Sequence, residues 1–196
     1  MNPFERAKNI VLLPAREWRL IERESGEPGF VFGRYVAPLA LIPAIFGFIG
    51  QSVIGISVSA GTFRVPLLPG AVNAILSYLF SFVIVYLTAL VIFALAPLFD
   101  GDRYFPNALK LAAYSFTPVW LVGVFLILPG LQFMAVFGLY GIFLLWVGMP
   151  VLLRAPLDKA VLFAGAVAVA AILITLILAA LQQLIIVPGV QGEGAL

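Results

Sequence analysis

Long apolar runs separated by short polar segments make up most of the chain. Five runs are long enough to form membrane-spanning helices, at residues 35–58, 71–99, 111–128, 131–153 and 160–187. A helix needs about 20 mostly apolar residues to cross about 30 Å of hydrocarbon. The pattern therefore predicts an all-α, polytopic membrane protein with five transmembrane helices. Only Pro129 and Gly130 separate the third run from the fourth, which predicts a tight hairpin; the alternative is that these two runs form one re-entrant unit.

Residues 3–24 mix charged and apolar positions and are predicted to form one or two interfacial amphipathic helices, followed by a flexible link at "ESGEPG". Ala15, Trp18 and Ile21 recur every three residues among charged neighbours. Trp18 is predicted to anchor this segment at the depth of the lipid headgroups. Residues 1–27 carry five basic and five acidic side chains, so we expect weak attraction to anionic lipid. A docking face for another protein is equally open.

The distribution of lysine and arginine predicts the orientation of the chain in the membrane. Ten of the eleven basic residues lie before the first run, between the second and third, or between the fourth and fifth; Arg64 lies on the other side. Short basic loops stay in the cytoplasm. We therefore predict a cytoplasmic or interfacial segment over 1–34, a five-helix domain over 35–187 and a short external tail over 188–196. Charges interrupt the N-terminal segment, so no cleaved signal peptide is expected.

The composition excludes several classes of function. Hydrophobic residues account for 63% of the chain and charged residues for 10%, far from the balance of a water-soluble domain. The absence of Cys and His excludes disulfides, thiolate nucleophiles and the usual zinc or haem ligation. A net charge of +2 does not indicate nucleic-acid binding. No phosphate loop or nucleophile elbow is present, so we predict no catalytic residue, no cofactor, no metal and no enzyme activity.

The segment "LFDGDRYFPNALKLAAYSFTP", residues 98–118, concentrates charge between two apolar runs. One interpretation is a solvated turn, because Asp100-Gly101 and Phe105-Pro106-Asn107 are turn formers and Lys110 can extend to water. The other is a functional patch in which Asp100 or Asp102 pairs with Lys110 or with Lys159 from the next cytoplasmic loop. The candidate functional cluster is Asp100, Asp102, Arg103, Lys110, Tyr114, Ser115, Thr117, Pro118, Asp158 and Lys159.

Pro118 predicts a kink in the third run, because proline lacks a backbone donor. Ser115 and Thr117 are available to bond the carbonyl groups that the kink leaves free. Broken helices build some transporter sites, so a transporter or channel for a small solute or ion is an open alternative. A membrane enzyme that acts on lipid is a third possibility. In the fifth run the small residues Ala164, Gly165, Ala168 and Ala171 predict close packing against a neighbouring helix or a second copy.

Three motifs, in this order and spacing, resemble the bacterial branch of the YIP family, the Rab/Ypt-interacting-protein domain. They are "LAPLFDGDRYFPNALKLAAYSFTPVWLVGVFLILPGL", "YGIFLLWVGMPVLL" and "APLDKA". The resemblance extends from about Pro14 to about residue 180. It implies a five-span fold in the bacterial cytoplasmic (inner) membrane, oligomerisation, and motif loops on the cytoplasmic side. The chain lacks the long cytosolic N-terminal region of the eukaryotic relatives, so a GTPase partner is not inferred.

The function expected from these observations is a non-enzymatic one. The protein is predicted to act in membrane organisation or assembly, through contacts with the lipid bilayer and with copies of itself or other membrane proteins.

Overall fold

The computed structural model describes residues 2–58 and 61–191. Its α-helices are α1 (Pro3–Leu12), α2 (Pro14–Glu22), α3 (Pro28–Val31), α4 (Ala37–Phe48), α5 (Leu67–Leu95), α6 (Phe105–Ser115), α7 (Thr117–Val122), α8 (Tyr140–Leu152) and α9 (Leu157–Gln191). Five helical stretches of the described chain are long and apolar enough to cross a membrane. They are span 1 (Pro28–Ile54), span 2 (Leu67–Phe99), span 3 (Phe105–Ile127), span 4 (Phe133–Leu152) and span 5 (Leu157–Ile185). The prediction of an all-α polytopic membrane protein is confirmed.

Several spans contain turns that are not α-helical. Span 1 includes π-helical turns at Phe32–Val36 and Ile49–Ile54, and a 3-10 turn at Ala96–Phe99 ends span 2. Two further 3-10 segments, Gly123–Ile127 and Pro129–Leu139, connect α7 to α8, and the second begins at the Pro129–Gly130 pair where the hairpin is predicted.

A small antiparallel hairpin connects spans 1 and 2. Its strands, β1 (Ile56–Val58) and β2 (Gly61–Phe63), are three residues long, and Ile56 pairs with Phe63. The hydropathy pattern placed the whole of β1 at the end of the first apolar run, because Ile56 and Val58 are apolar.

Spans 1, 2, 3 and 5 begin earlier than the hydropathy pattern predicts, and the two largest differences, in spans 1 and 3, each involve a basic residue. Span 1 begins at Pro28 instead of residue 35, because the helix continues through Arg34, whose guanidinium lies over the Phe30 ring. Span 3 begins at Phe105 instead of residue 111, because the helix includes Lys110, which is 2% exposed. At the other end of the chain α9 extends through Gln191, so residues 188–191 of the predicted tail are helical. Residues 192–196 lie outside the described residues.

The core lies where the N-terminal helices meet the first half of span 3. Span 2 packs against α4, α6 and α9, while α2 and α6 both pack against α8. The largest fully buried side chains of the core include Trp18, Tyr35, Tyr114 and Phe163. The N-terminal segment is thus part of the packed bundle, and the predicted cluster lies beside it.

Candidate functional site

Lys110 joins α2 to span 3 through three backbone carbonyl groups. Its Nζ donates to the carbonyl oxygens of Ile21 at 3.0 Å, Glu22 at 2.9 Å and Glu24 at 3.1 Å. The last carbonyl groups of a helix have no partner within the helix and carry its negative dipole end. An ammonium group has three donors to offer them. The predicted pairing of Lys110 with Asp100 or Asp102, and its extension to water, are therefore both wrong.

Two carboxylates, one buried and one partly exposed, hold the two N-terminal helices together through Arg6. The guanidinium of Arg6 in α1 binds the carboxylates of Glu17 and Glu24. The side chains of Arg6 and Glu17 are 10% and 4% exposed. These ion pairs join α1 to α2 and to the turn that follows it, and Lys110 joins that region to span 3.

The sequence pattern placed Glu17 among the charged neighbours of Ala15, Trp18 and Ile21, although a signal for its burial was present. The buried side of α2 consists of Glu17, Trp18 and Ile21, a spacing typical of one face of a helix. Ala15, which we counted on that face, is exposed. Placing Glu17 on the apolar face would have indicated a buried basic partner, because a buried carboxylate needs one.

Trp18 does not anchor the protein among lipid headgroups. Its side chain is 0% exposed and its ring packs edge-on to Tyr114, with 6.2 Å between the ring centroids. A Cβ at Gly148 would lie 2.7 Å from Trp18 Cε2, so the indole fits only because α8 has glycine there. The large apolar side chains exposed on α1, α2 and the turn between them are instead Phe4, Leu12, Leu13 and Leu20.

Exposed ion pairs join the loop that precedes span 3 to the loop before span 5 and to the first turn of span 5. Asp100 binds Lys159 and Asp102 lies 3.6 Å from Arg154. The Asp102 backbone N–H also donates to the Leu153 carbonyl at 2.6 Å. Exposed pairs of this kind contribute little to stability. Both loops nevertheless meet at the end of the bundle that carries α2.

Two other charged residues of the predicted cluster have local roles. The Arg103 guanidinium lies over the Phe93 ring, 4.6 Å from its centroid. Asp158 is exposed in the first turn of α9, where a carboxylate complements the helix dipole. The structure thus divides the predicted cluster between a buried group around Lys110 and an exposed group around Asp100.

The helix break at Pro118 is as predicted. Span 3 changes from α6 to α7 at Phe116. Proline removes the donor that would bond the Tyr114 carbonyl, and the Thr117 hydroxyl donates to that carbonyl at 2.6 Å. Thr117 Oγ1 also lies 2.6 Å from the Tyr35 hydroxyl of span 1. Ser115 Oγ has no hydrogen-bond partner among the described residues.

A cavity of about 430 Å³ lies beside the break, lined by residues of all five spans. Thr88 and Ser115 supply buried hydroxyl groups to its wall, and its other lining residues are mostly apolar. A second cavity of about 240 Å³ is adjacent to it and includes Gln51, Asn73 and Ser77. The two cavities share the lining residues Pro43, Phe116, Val119, Leu126 and Thr175.

The fold and this site define a multi-pass helical membrane protein whose N-terminal helices are fixed to the bundle by buried charges. The chain belongs to the Yip1 domain family, whose model matches residues 8–179. The resemblance to the YIP family is thereby confirmed.

Curated relatives of the chain include a bacterial inner-membrane protein. The inner membrane protein YohC of Escherichia coli strain K12 is 26% identical over 177 residues, which cover 88% of this chain and 91% of YohC. The YohC protein of Escherichia coli O6:H1 matches with the same identity and coverage. No solved structure matches the chain. Together with the five apolar helices, these relatives indicate a multi-pass inner-membrane protein.

Proposed function

We propose that the protein is non-enzymatic and acts through contacts with lipids and other membrane proteins in the organisation or assembly of the inner membrane. Its partners are lipid, further copies of the chain or other membrane proteins. The proposed orientation has the N-terminus in the cytoplasm and the C-terminus outside.

The observation that carries this proposal is how the buried charges at the α2 end of the bundle are used. Lys110 binds backbone carbonyl groups of α2, and Arg6 binds two carboxylates. Each buried charge therefore serves to fix α1 and α2 on the bundle. A rigid surface of this kind suits recognition by a partner, because little conformational entropy is lost on binding.

The outward side of α1 and α2 is the surface that we propose for contact. It exposes charged residues of both signs, namely Glu5, Lys8, Arg16, Arg19, Glu22 and Arg23. The basic loops at Arg103 and Arg154 contact each other, and the end of α2 lies beside the start of span 3 that follows the first of these loops. This convergence supports the proposed orientation, because basic segments stay on the cytoplasmic side.

We expect reversal of charge on this surface to remove bound partners without unfolding the protein. Arg16 and Arg23 are exposed, so Arg16→Glu with Arg23→Glu leaves the buried contacts intact. The amounts of protein and lipid that co-purify with the double variant in mild detergent should fall at least fivefold, while its thermal stability stays that of the wild type. Quantitative mass spectrometry of the purified material measures this loss. Arg64→Glu, at the opposite end of span 2, is the control and should retain the wild-type set.

The contact function is rejected if the double variant retains the wild-type partners, or if the wild-type protein purifies without any reproducible partner. Solute-selective flux through the purified protein in liposomes would then favour the second candidate.

Transport of a small uncharged solute is that second candidate, and the adjacent cavities favour it. Asn73 and Ser77 face Gln182 of span 5, whose Nε2 donates to Asn73 Oδ1 at 2.6 Å and to Ser77 Oγ at 2.8 Å. The smaller cavity thus has a polar wall between spans 2 and 5. Flux that disappears in Ser115→Ala or Thr117→Val would support transport.

A further inference from the structure

We propose that the cavity of about 430 Å³ binds a neutral, lipid-soluble molecule that carries a carbonyl oxygen, of the alkylated quinone class. The inference rests on the proposed function and specifies one class of lipid that the protein contacts. Its evidence is independent of the N-terminal surface, because it comes from the cavity wall.

The size and opening of the cavity suit a lipid-soluble occupant. A volume of about 430 Å³ lies in the range of small-molecule sites. Among its lining residues Val119, Leu139, Ile172 and Leu176 are 43–60% exposed. These side chains lie on the apolar surfaces of spans 3 and 5 and of the segment before α8. In a membrane such surfaces face lipid, so a molecule dissolved in the bilayer can enter from the side.

Two hydroxyl groups in the wall lack partners. Thr88 is 1% exposed and Ser115 is 5% exposed, and neither Thr88 Oγ1 nor Ser115 Oγ has a hydrogen-bond partner within the described chain. A buried hydroxyl group without a partner is destabilising. Both side chains line the cavity. A ligand that accepts hydrogen bonds from them would remove that penalty.

The depth of these hydroxyl groups restricts the ligand. Thr88 lies eleven residues before Phe99, and Ser115 ten residues after Phe105, counted from the ends of spans 2 and 3. At 1.5 Å per helical residue both lie about 15 Å from those ends, which is near the middle of a hydrocarbon layer about 30 Å thick. The ester groups of membrane lipids lie at the interface, whereas a neutral ring without hydrogen-bond donors can enter hydrocarbon to this depth.

The absence of charge in the described lining favours a carbonyl compound over a charged or donor-rich one. A molecule whose only polar atoms are carbonyl oxygens has no donor groups to desolvate when it enters hydrocarbon. Its oxygen atoms can accept hydrogen bonds from Ser115 and Thr88. The remaining apolar wall packs against the ring and the alkyl chain.

The test compares two probes of similar shape, decylbenzoquinone and decylbenzene, titrated against the purified protein and followed by native mass spectrometry. Decylbenzoquinone should bind more tightly than decylbenzene. Ser115→Ala and Thr88→Val should each weaken quinone binding about threefold to tenfold, the size of one neutral hydrogen bond. The binding of decylbenzene should not change in either variant.

Thr175→Val is the matched control. Thr175 lines the same cavity, but its hydroxyl already donates to the Ala171 carbonyl at 2.8 Å. Its replacement should leave quinone binding unchanged. The thermal stability of Thr175→Val should be close to that of the wild type, and that of Ser115→Ala and Thr88→Val should be no lower, because these two changes remove unpartnered buried hydroxyl groups.

The inference is overturned if the quinone binds no better than decylbenzene, or if Ser115→Ala and Thr88→Val bind it like the wild type. Either result, with the co-purifying partners retained, rejects this ligand class alone. Carbonyl-dependent quinone binding by a protein that lacks those partners rejects the contact function and leaves this site in place.

Discussion

Replacement of Lys110 by methionine is expected to release α2 from the bundle and to lower the free energy of unfolding by about 2–4 kcal/mol. The magnitude follows because hydrogen bonds to a charged group contribute about 1.5–3 kcal/mol each and do not add fully. Methionine preserves the apolar stem but leaves the carbonyl groups of Ile21, Glu22 and Glu24 without their common donor. Thermal unfolding in mild detergent measures the loss, and faster trypsin cleavage after Arg23 reports the release of α2.

Lys159→Met is the matched control for this prediction. Lys159 binds Asp100 in an exposed pair, so the same lysine-to-methionine change should leave the unfolding temperature and the cleavage at Arg23 nearly unchanged. Equal behaviour of the two variants would contradict the role assigned to Lys110.

The second large effect is expected for Trp18→Ala, which should lower the free energy of unfolding by about 3–5 kcal/mol. The indole is fully buried, and it contacts Tyr114 of span 3 and the backbone of α8 at Gly148. Its removal leaves a cavity where α2, α6 and α8 meet. The measurement is again thermal unfolding in detergent, with the binding of the protein to lipid vesicles determined in parallel.

The control for this variant is Trp146→Ala. Trp146 lies on the surface of α8 and is 39% exposed, so its removal should cost much less stability. A headgroup anchor at Trp18 would give the reverse pattern, in which lipid binding falls and the unfolding temperature remains that of the wild type.

The spans could be predicted from the sequence because apolar length is a local property of the chain. The predicted start of a span was wrong where a basic residue lies inside the helix, as in spans 1 and 3. Lys110 appeared to mark the end of a span, since a lysine in hydrocarbon is costly. Its partners are carbonyl groups 86–89 residues away in the chain, and no local pattern reveals them.

The same limit applies to the candidate site. Thr117 could be assigned from its position beside Pro118, because the freed carbonyl and the hydroxyl lie within one helical turn. The buried pair of Arg6 and Glu17 depends on how α1 folds back on α2. The cavity depends on the packing of all five spans. Sequence reasoning therefore named Ser115 but could not show that it is buried in the wall of the same cavity as Thr88.

Single-cysteine labelling from outside intact cells tests the central claim, a five-span bundle with its basic end in the cytoplasm. The chain has no cysteine, so Arg64→Cys and Arg103→Cys each introduce one thiol at an exposed position. We expect a membrane-impermeant maleimide to label Arg64→Cys in intact cells, and to label Arg103→Cys only after permeabilisation. Labelling of Arg103→Cys in intact cells, with Arg64→Cys protected, would contradict the proposed orientation and the cytoplasmic contact surface built on it.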